Sequence, residues 1–245
     1  MKKIKYLILL AFGYQIVLEA QEIKVSYEMN VFPNTFISYF DLKISEDYSQ
    51  WEYTGYADSN SMEEVSIVQS SRPRKFYSIA NTHYYQEILF GKYLNVVDEP
   101  DLKWNLTQKM DSVNQHLCQI ATTEFRGRKY TACFSNEIKI SQGPWKFKGL
   151  PGLIIHVKSD DDFIEYSLQS ISELDENEFR QEAEDYLSLE FMEFSDFQDR
   201  FIRVHDNYIK SQKSKKENHS FDSYYKINQA EIIYPSLQTG NGIVY

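Results

Sequence analysis

From Glu22 to Met29 apolar and polar residues alternate without a break, Ile23, Val25, Tyr27 and Met29 against Glu22, Lys24, Ser26 and Glu28. A period of two places one set on each face of a strand, so this stretch predicts a half-buried β-strand. Short segments of similar character follow, namely TFISYFDLKI, SQWEYTGY, KFYSIA and KYLNVV. They are set apart by polar connections and by turn signals at Asn81 and at Asp98-Glu99-Pro100. Consecutive short strands with short connections predict an antiparallel meander, with one face packed and the other solvated. The aromatic content, 16% of the chain with 19 Tyr and 16 Phe, suits such a pleated surface.

The clearest hairpin joins LCQIATTEF to KYTACFS through Arg126-Gly127-Arg128, with Gly127 supplying the positive φ of a tight turn. A two-residue turn at Arg126-Gly127 would set Phe125 opposite Arg128. Cys118 then faces Ser135 and Cys133 faces Ile120. The chain's two cysteines share a face but lie on a diagonal, about 7–8 Å apart where a bridge wants about 5.5 Å. A bulge would close that gap, so the register leaves a Cys118–Cys133 disulfide open. A second hairpin is predicted in LIIHVKSDDDFIEYSLQSI, turning at Asp160 to Asp162.

The last third changes character. Helix is predicted near Glu176 to Leu187, with Phe179, Ala183, Tyr186 and Leu187 on one face. A second is predicted from Asp196 to Ser211, where Ser195 and Gln198 form a capping box and Phe197, Phe201, Val204 and Tyr208 an apolar stripe. The fold class expected is mainly β (α+β): a curved antiparallel sheet with one or two C-terminal helices packed on it.

Residues 1–20 stand apart. Lys2, Lys3 and Lys5 precede an apolar run from Tyr6 to Phe12, and the segment ends at Ala20. This layout predicts a secretory signal peptide, leaving 21–245 as a single domain exported to the periplasm, free or associated with the outer membrane. Losing three lysines and one glutamate takes the formal charge from −10 to −12. An acidic protein repels phosphate backbones, so nucleic acid is not an expected partner, and no later stretch predicts an integral membrane span.

Candidate chemistry is sparse. His116 and Cys118, two apart in a strand, are conceivable as a base and thiol nucleophile. The five histidines are dispersed and Asp160 to Asp162 lack the spacing of a calcium loop, so no metal or cofactor is expected. Gly143 to Ile154, GPWKFKGLPGLI, is dense in glycine and proline. Leu150-Pro151-Gly152-Leu153 fits a type II turn, with Trp145 and Phe147 pointing the same way. No residue of this stretch is expected to act as a nucleophile, acid–base group or metal ligand.

The run TTEFRGRKYTACFSNEIKISQGPWKFKGLPGLIIHV resembles the signature block of the GLPGLI family of Bacteroidetes. The hexapeptide stands here at Gly149, Leu150, Pro151, Gly152, Leu153 and Ile154. Cys118-Gln119, Phe125-Arg126-Gly127-Arg128 and DLKWNLT add to the likeness. A tryptophan usually stands where this chain has Cys133, so a disulfide would be peculiar to this protein. The resemblance implies an exported bacterial protein and brings no established activity. Two expectations follow. One is a non-catalytic binding or envelope accessory protein, using Trp145, Phe147, Arg126 and Arg128 toward an envelope or outer-membrane protein or a small apolar ligand. The alternative is an enzyme acting through the Cys118 thiol, or through Arg126 and Arg128, on an anionic substrate.

Overall fold

The computed structural model describes residues 23–32, 36–58, 75–174, 179–214 and 229–235. The expected signal peptide lies outside them, as does the whole 215–228 stretch. Twelve strands form one sheet. They are β1 (Ile23–Val31), β2 (Phe36–Ile44), β3 (Ser49–Asp58), β4 (Phe76–Ile79), β5 (Thr82–Leu89), β6 (Lys92–Asp98), β7 (Asn105–Val113), β8 (His116–Phe125), β9 (Arg128–Phe134), β10 (Ile154–Ser159), β11 (Ile164–Glu173) and β12 (Met192–Glu193). Among the described residues there are also two helices, α1 (Phe179–Leu187) and α2 (Phe194–Ser214).

The strand order, β12-β6-β5-β4-β3-β2-β1-β11-β10-β9-β8-β7, describes two meanders. The first half of the chain fans out from β1 to β6. The second half runs from β7 back to β11, which pairs antiparallel with β1. The sheet is mostly β as expected and is open: β12 lies at one end and β7 at the other. Among the described strands only the two-residue β12 pairs in parallel, on β6.

Hairpin geometry explains why the meanders close so tightly. Phe90-Gly91, Asn114-Gln115 and Arg126-Gly127 each have both residues at positive φ, the pattern of a type I′ turn. That turn matches the twist of the strands it joins. At the third, Phe125 pairs with Arg128 and Ile120 with Cys133, the register a two-residue turn dictates.

Helix α2 begins at Phe194, immediately after β12, so Ser195 lies inside the helix and not at its cap. Its Phe194, Phe197 and Phe201 enter the main core with Val25, Tyr27, Val96, Phe134 and Phe147. Helix α1 sets Ala183 and Tyr186 against Tyr77 in a smaller cluster. Among the described residues no helix is long and apolar enough to cross a membrane.

Candidate functional site: a buried charge ring beneath the glycine–proline loop

Gly143 to Leu153 runs across the core face of the sheet, pinned by main-chain hydrogen bonds. Ser135 N donates to Leu153 O (2.8 Å), Leu153 N to Ile138 O (3.0 Å) and Ile154 N to Gln142 O (3.0 Å). The glycines are there for close approach. A Cβ on Gly152 would lie 1.8 Å from Ser135 O, and one on Gly143 would lie 2.6 Å from Phe147 O. The expected type II turn at Leu150–Leu153 is not formed, because Gly152 is not at positive φ. The left-handed residue of the hexapeptide is Gly149, at φ 92°. Leu150, Leu153 and Ile154 are buried, whereas Gly149 and Pro151 are exposed.

A second turn aims the loop's centre inward. Phe147 N donates to Pro144 O (3.0 Å), with Trp145 at φ 55°, a region a non-glycine residue seldom occupies. Phe147 is fully buried against Tyr130, Phe125, Tyr166 and Trp104. Trp145 is half-buried on Phe125 and Phe147. Of the two aromatics expected at an interface, Phe147 is therefore core, because the loop lies on the sheet.

Between them, Lys146 enters the interior with its side chain 1% exposed. Its ammonium donates to Glu231 Oε2 (2.7 Å), Tyr85 Oη (3.0 Å) and Asp98 Oδ2 (3.1 Å). Arg126 takes the other oxygen of each carboxylate, reaching Asp98 Oδ1 at 2.6 Å and also Glu231 Oε1. The four charges form a closed ring of zero net charge: Arg126, Asp98, Lys146, Glu231. Burial opposes charging of Arg126, but Glu231 and Asp98 outweigh it and hold its pKa above the ordinary value. Tyr85 is pushed well above the usual phenol range by burial, then by Glu231 and Asp98, so it stays protonated. The rings of Phe194, Tyr85 and Trp145 wall the ammonium.

The ring joins parts of the fold that are distant in the sheet. Asp98 ends β6, Arg126 is in the β8–β9 turn, and β6 and β8 are near opposite ends of the strand order. Lys148 adds another tie, donating to Ala80 O in the β4–β5 turn, while its own carbonyl accepts from Trp104 Nε1 (2.8 Å). Glu231 arrives on the strap 229–235. There Ile232 N donates to Arg126 O (3.0 Å) and Arg128 Nη2 to Gln229 O (3.0 Å). The curled sheet is thus fastened across its open side by the loop and the strap.

This geometry corrects several expectations. Arg126 and Arg128, expected to act toward a partner or an anionic substrate, both pair with carboxylates of this chain. Arg126 is held in the ring, and Arg128 is buried over Phe163 and paired with Asp161. Cys118 offers no thiol, since it is joined to Cys133 by a disulfide with Cα atoms 5.4 Å apart. No bulge interrupts β8 and β9; the diagonal itself is shorter than a flat ladder would give, as sheet twist allows. His116 and Cys118 lie two apart in β8 and so on the same side of the strand, but His116 is exposed and Cys118 buried. The loop does carry amines, Lys146 and Lys148, and Lys146 is the centre of the site. Its only sequence signal was a lysine flanked by Trp145 and Phe147 inside a glycine-bounded turn; Asp98 and Glu231 had none.

Another buried polar pair adjoins the ring. Ser78 Oγ and His83 Nδ1 are 2.7 Å apart across β4 and β5. Burial lowers the pKa of His83 well below the ordinary value, and Lys148, Lys146 and Arg126 depress it further. Burial likewise lowers Lys148 to about 8. Among the described residues no group of three or more His, Cys, Asp or Glu could hold a metal ion.

A family model described as a protein of unknown function (Porph_ging) matches residues 92–156, a span that takes in β6, the hairpins through β9 and the whole loop. No curated protein matches the chain. Two solved structures of PNGF-II, in P21 and C2 crystal forms, are similar at TM-scores of 0.49 and 0.46, each at 10% identity. They cover 74% and 71% of this chain, which spans 33% and 31% of theirs.

Proposed function

We propose that this chain is an exported, non-catalytic accessory protein of the bacterial envelope, of the GLPGLI type, that works by binding another protein. The loop that carries the hexapeptide is an internal fastening, and the strongest cations near it are committed to internal carboxylates. Tyr27, Tyr130, Phe134, Phe147, Leu150, Leu153 and Phe163 fill the core face, which disfavours the version that carries a small apolar ligand.

The observation that carries the reading is at the β7 end of the sheet. Leu106 faces Ala121 and Met110 faces Gln119, on the same sheet face as Leu117. These three are 55%, 50% and 55% exposed. Among the described residues the core face therefore continues past its covering loop as an uncovered apolar strip beside an unpaired strand edge, a combination that pairs readily with another chain. An envelope protein offering an extended apolar segment is the partner this edge fits.

Native mass spectrometry of the protein purified gently from its own envelope tests the proposal. A stoichiometric companion protein, lost when Met110 is changed to Asp, supports it. A bare monomer, a bound small molecule, or a companion indifferent to M110D refutes the edge as the contact.

A further inference from the structure

We propose that Lys146 and Asp98 are the two halves of an intramolecular isopeptide bond that the folded chain forms unaided, with Glu231 as the proton carrier. Three groups are needed for such a bond: an amine, a carboxyl to receive it, and a second carboxyl to move protons. All three meet here. Lys146 Nζ is 3.1 Å from Asp98 Oδ2 and 2.7 Å from Glu231 Oε2, with side-chain exposures of 1%, 3% and 5%. Held reactants in a water-poor, aromatic-walled site need little further ordering to react.

The choice of residue at 146 supports this use. Arginine is the better residue for a buried, multidentate ion pair, and the chain uses one at Arg126 in the same ring. Lysine at the centre supplies what arginine lacks, an amine that becomes a nucleophile on losing a proton.

The step balances with the groups present. The Lys146 ammonium gives a proton to Glu231 Oε2, and the free amine attacks Cγ of Asp98. Arg126 Nη2, 2.6 Å from Asp98 Oδ1, stabilises the negative charge that develops there. Glu231 then passes its proton to Asp98 Oδ2, and a second proton from the nitrogen follows the same route. The Cγ–Oδ2 bond breaks, Oδ2 leaves as water, and one hydrogen stays on the amide nitrogen. Nothing is oxidised or reduced. One cation and one anion disappear together, and Arg126 remains opposite Glu231 as a neutral pair. The bond would lock the β6 end to the loop across the open side of the sheet, closing a span of 48 residues.

Mass spectrometry of the full chain, denatured and with its disulfide reduced, reads the outcome. We expect a mass lighter than the sequence by one water, and after trypsin a branched peptide joining the Asp98 segment to the Lys146 segment. The variant Glu231→Gln, which keeps the side chain's shape but cannot shuttle the proton, should melt cooperatively and show the full mass with no branch. Recovery of the Lys146 peptide unlinked from the wild-type chain would overturn the proposal, whatever the variant does. A branch at Glu231, or an equal branch in E231Q, would overturn the roles assigned to the two carboxyl groups.

Discussion

Two ends of one sheet face hold what proteins ordinarily place the other way round. Under the loop, Asp98, Lys146 and Glu231 are buried and Arg126 is partly buried; at β7 and β8, Leu106, Met110 and Leu117 are open to solvent. Each inversion has a different physical basis. The buried charges are affordable because each carboxylate is shared by two cations and each cation is partnered, so desolvation is offset within a closed ring. The exposed leucines and methionine have no such internal compensation. A feature balanced within the chain points to construction, and one left unbalanced points outward to a partner.

The comparison is tested hardest at Lys146. Truncation to Ala leaves Asp98 and Glu231 buried with Arg126 alone, and breaking a buried pair from one side costs about 3–5 kcal/mol. Chemical denaturation of K146A should show a loss of that size, while M110A should be close to wild type. A K146A loss below about 1 kcal/mol, within the range of ordinary surface changes, would mean that the ring does not fasten the fold.

The loop's glycines divide the same way. Gly152→Ala drives a Cβ to 1.8 Å from Ser135 O, a main-chain atom that cannot move without disturbing β9's continuation. Overpacking of this kind costs roughly 1–3 kcal/mol, and a backbone clash belongs at the top of that range. Gly149→Ala meets nothing within 4 Å and pays only for φ 92°, about 1 kcal/mol. Equal melting temperatures for the two variants would contradict the tight packing of Gly152.

Much of the fold was legible because it rests on local signals. Period-two alternation marked β1, short runs set off by polar connections marked β2 and β3, and Arg126-Gly127 set the β8–β9 register. The strand β5 was missed although Asn81 and Gly91 stand in the turns that bound it, because THYYQEIL does not alternate apolar and polar residues. The edge strand β7 was missed because both its faces are largely exposed, which erases the alternation. The site was hidden for a different reason. Asp98 and Glu231 lie 48 and 85 residues from Lys146 along the chain, and only the fold brings the three together. Gly152 was read as a turn residue because Pro-Gly fits one, whereas packing is what demands it.

Acid should weaken the loop region before it affects the edge. His83 stays neutral in the folded protein well below its ordinary pKa, chiefly because it is buried. The unfolded chain takes up that proton once the pH falls below about 6.5, so the unfolded state then binds more protons and stability falls with pH. Lys148, at about 8 when folded, has the same sign in alkali: stability should rise as the pH climbs from 8 toward the ordinary lysine value. Melting temperature against pH should fall below pH 6.5, and H83Q should flatten that limb. A limb unchanged in H83Q would assign the acid sensitivity elsewhere.

The smallest effect on stability falls at the edge, and there the comparison has its other half. Met110→Lys replaces a half-exposed apolar side chain on the last strand of the described sheet with a charge, a device that natural sheets use to discourage pairing along an edge. The folded chain should barely register it, within about 0.5 kcal/mol. Binding should register it strongly, since an ammonium placed in an apolar contact must be desolvated without a carboxylate to meet it. K146A and M110K therefore predict opposite pairs of results in denaturation and in retention of the companion protein. If M110K unfolds the chain as readily as K146A, the β7 strip is part of the core and the edge is not a docking surface. If M110K is stable and still holds its companion, the contact must lie on another face.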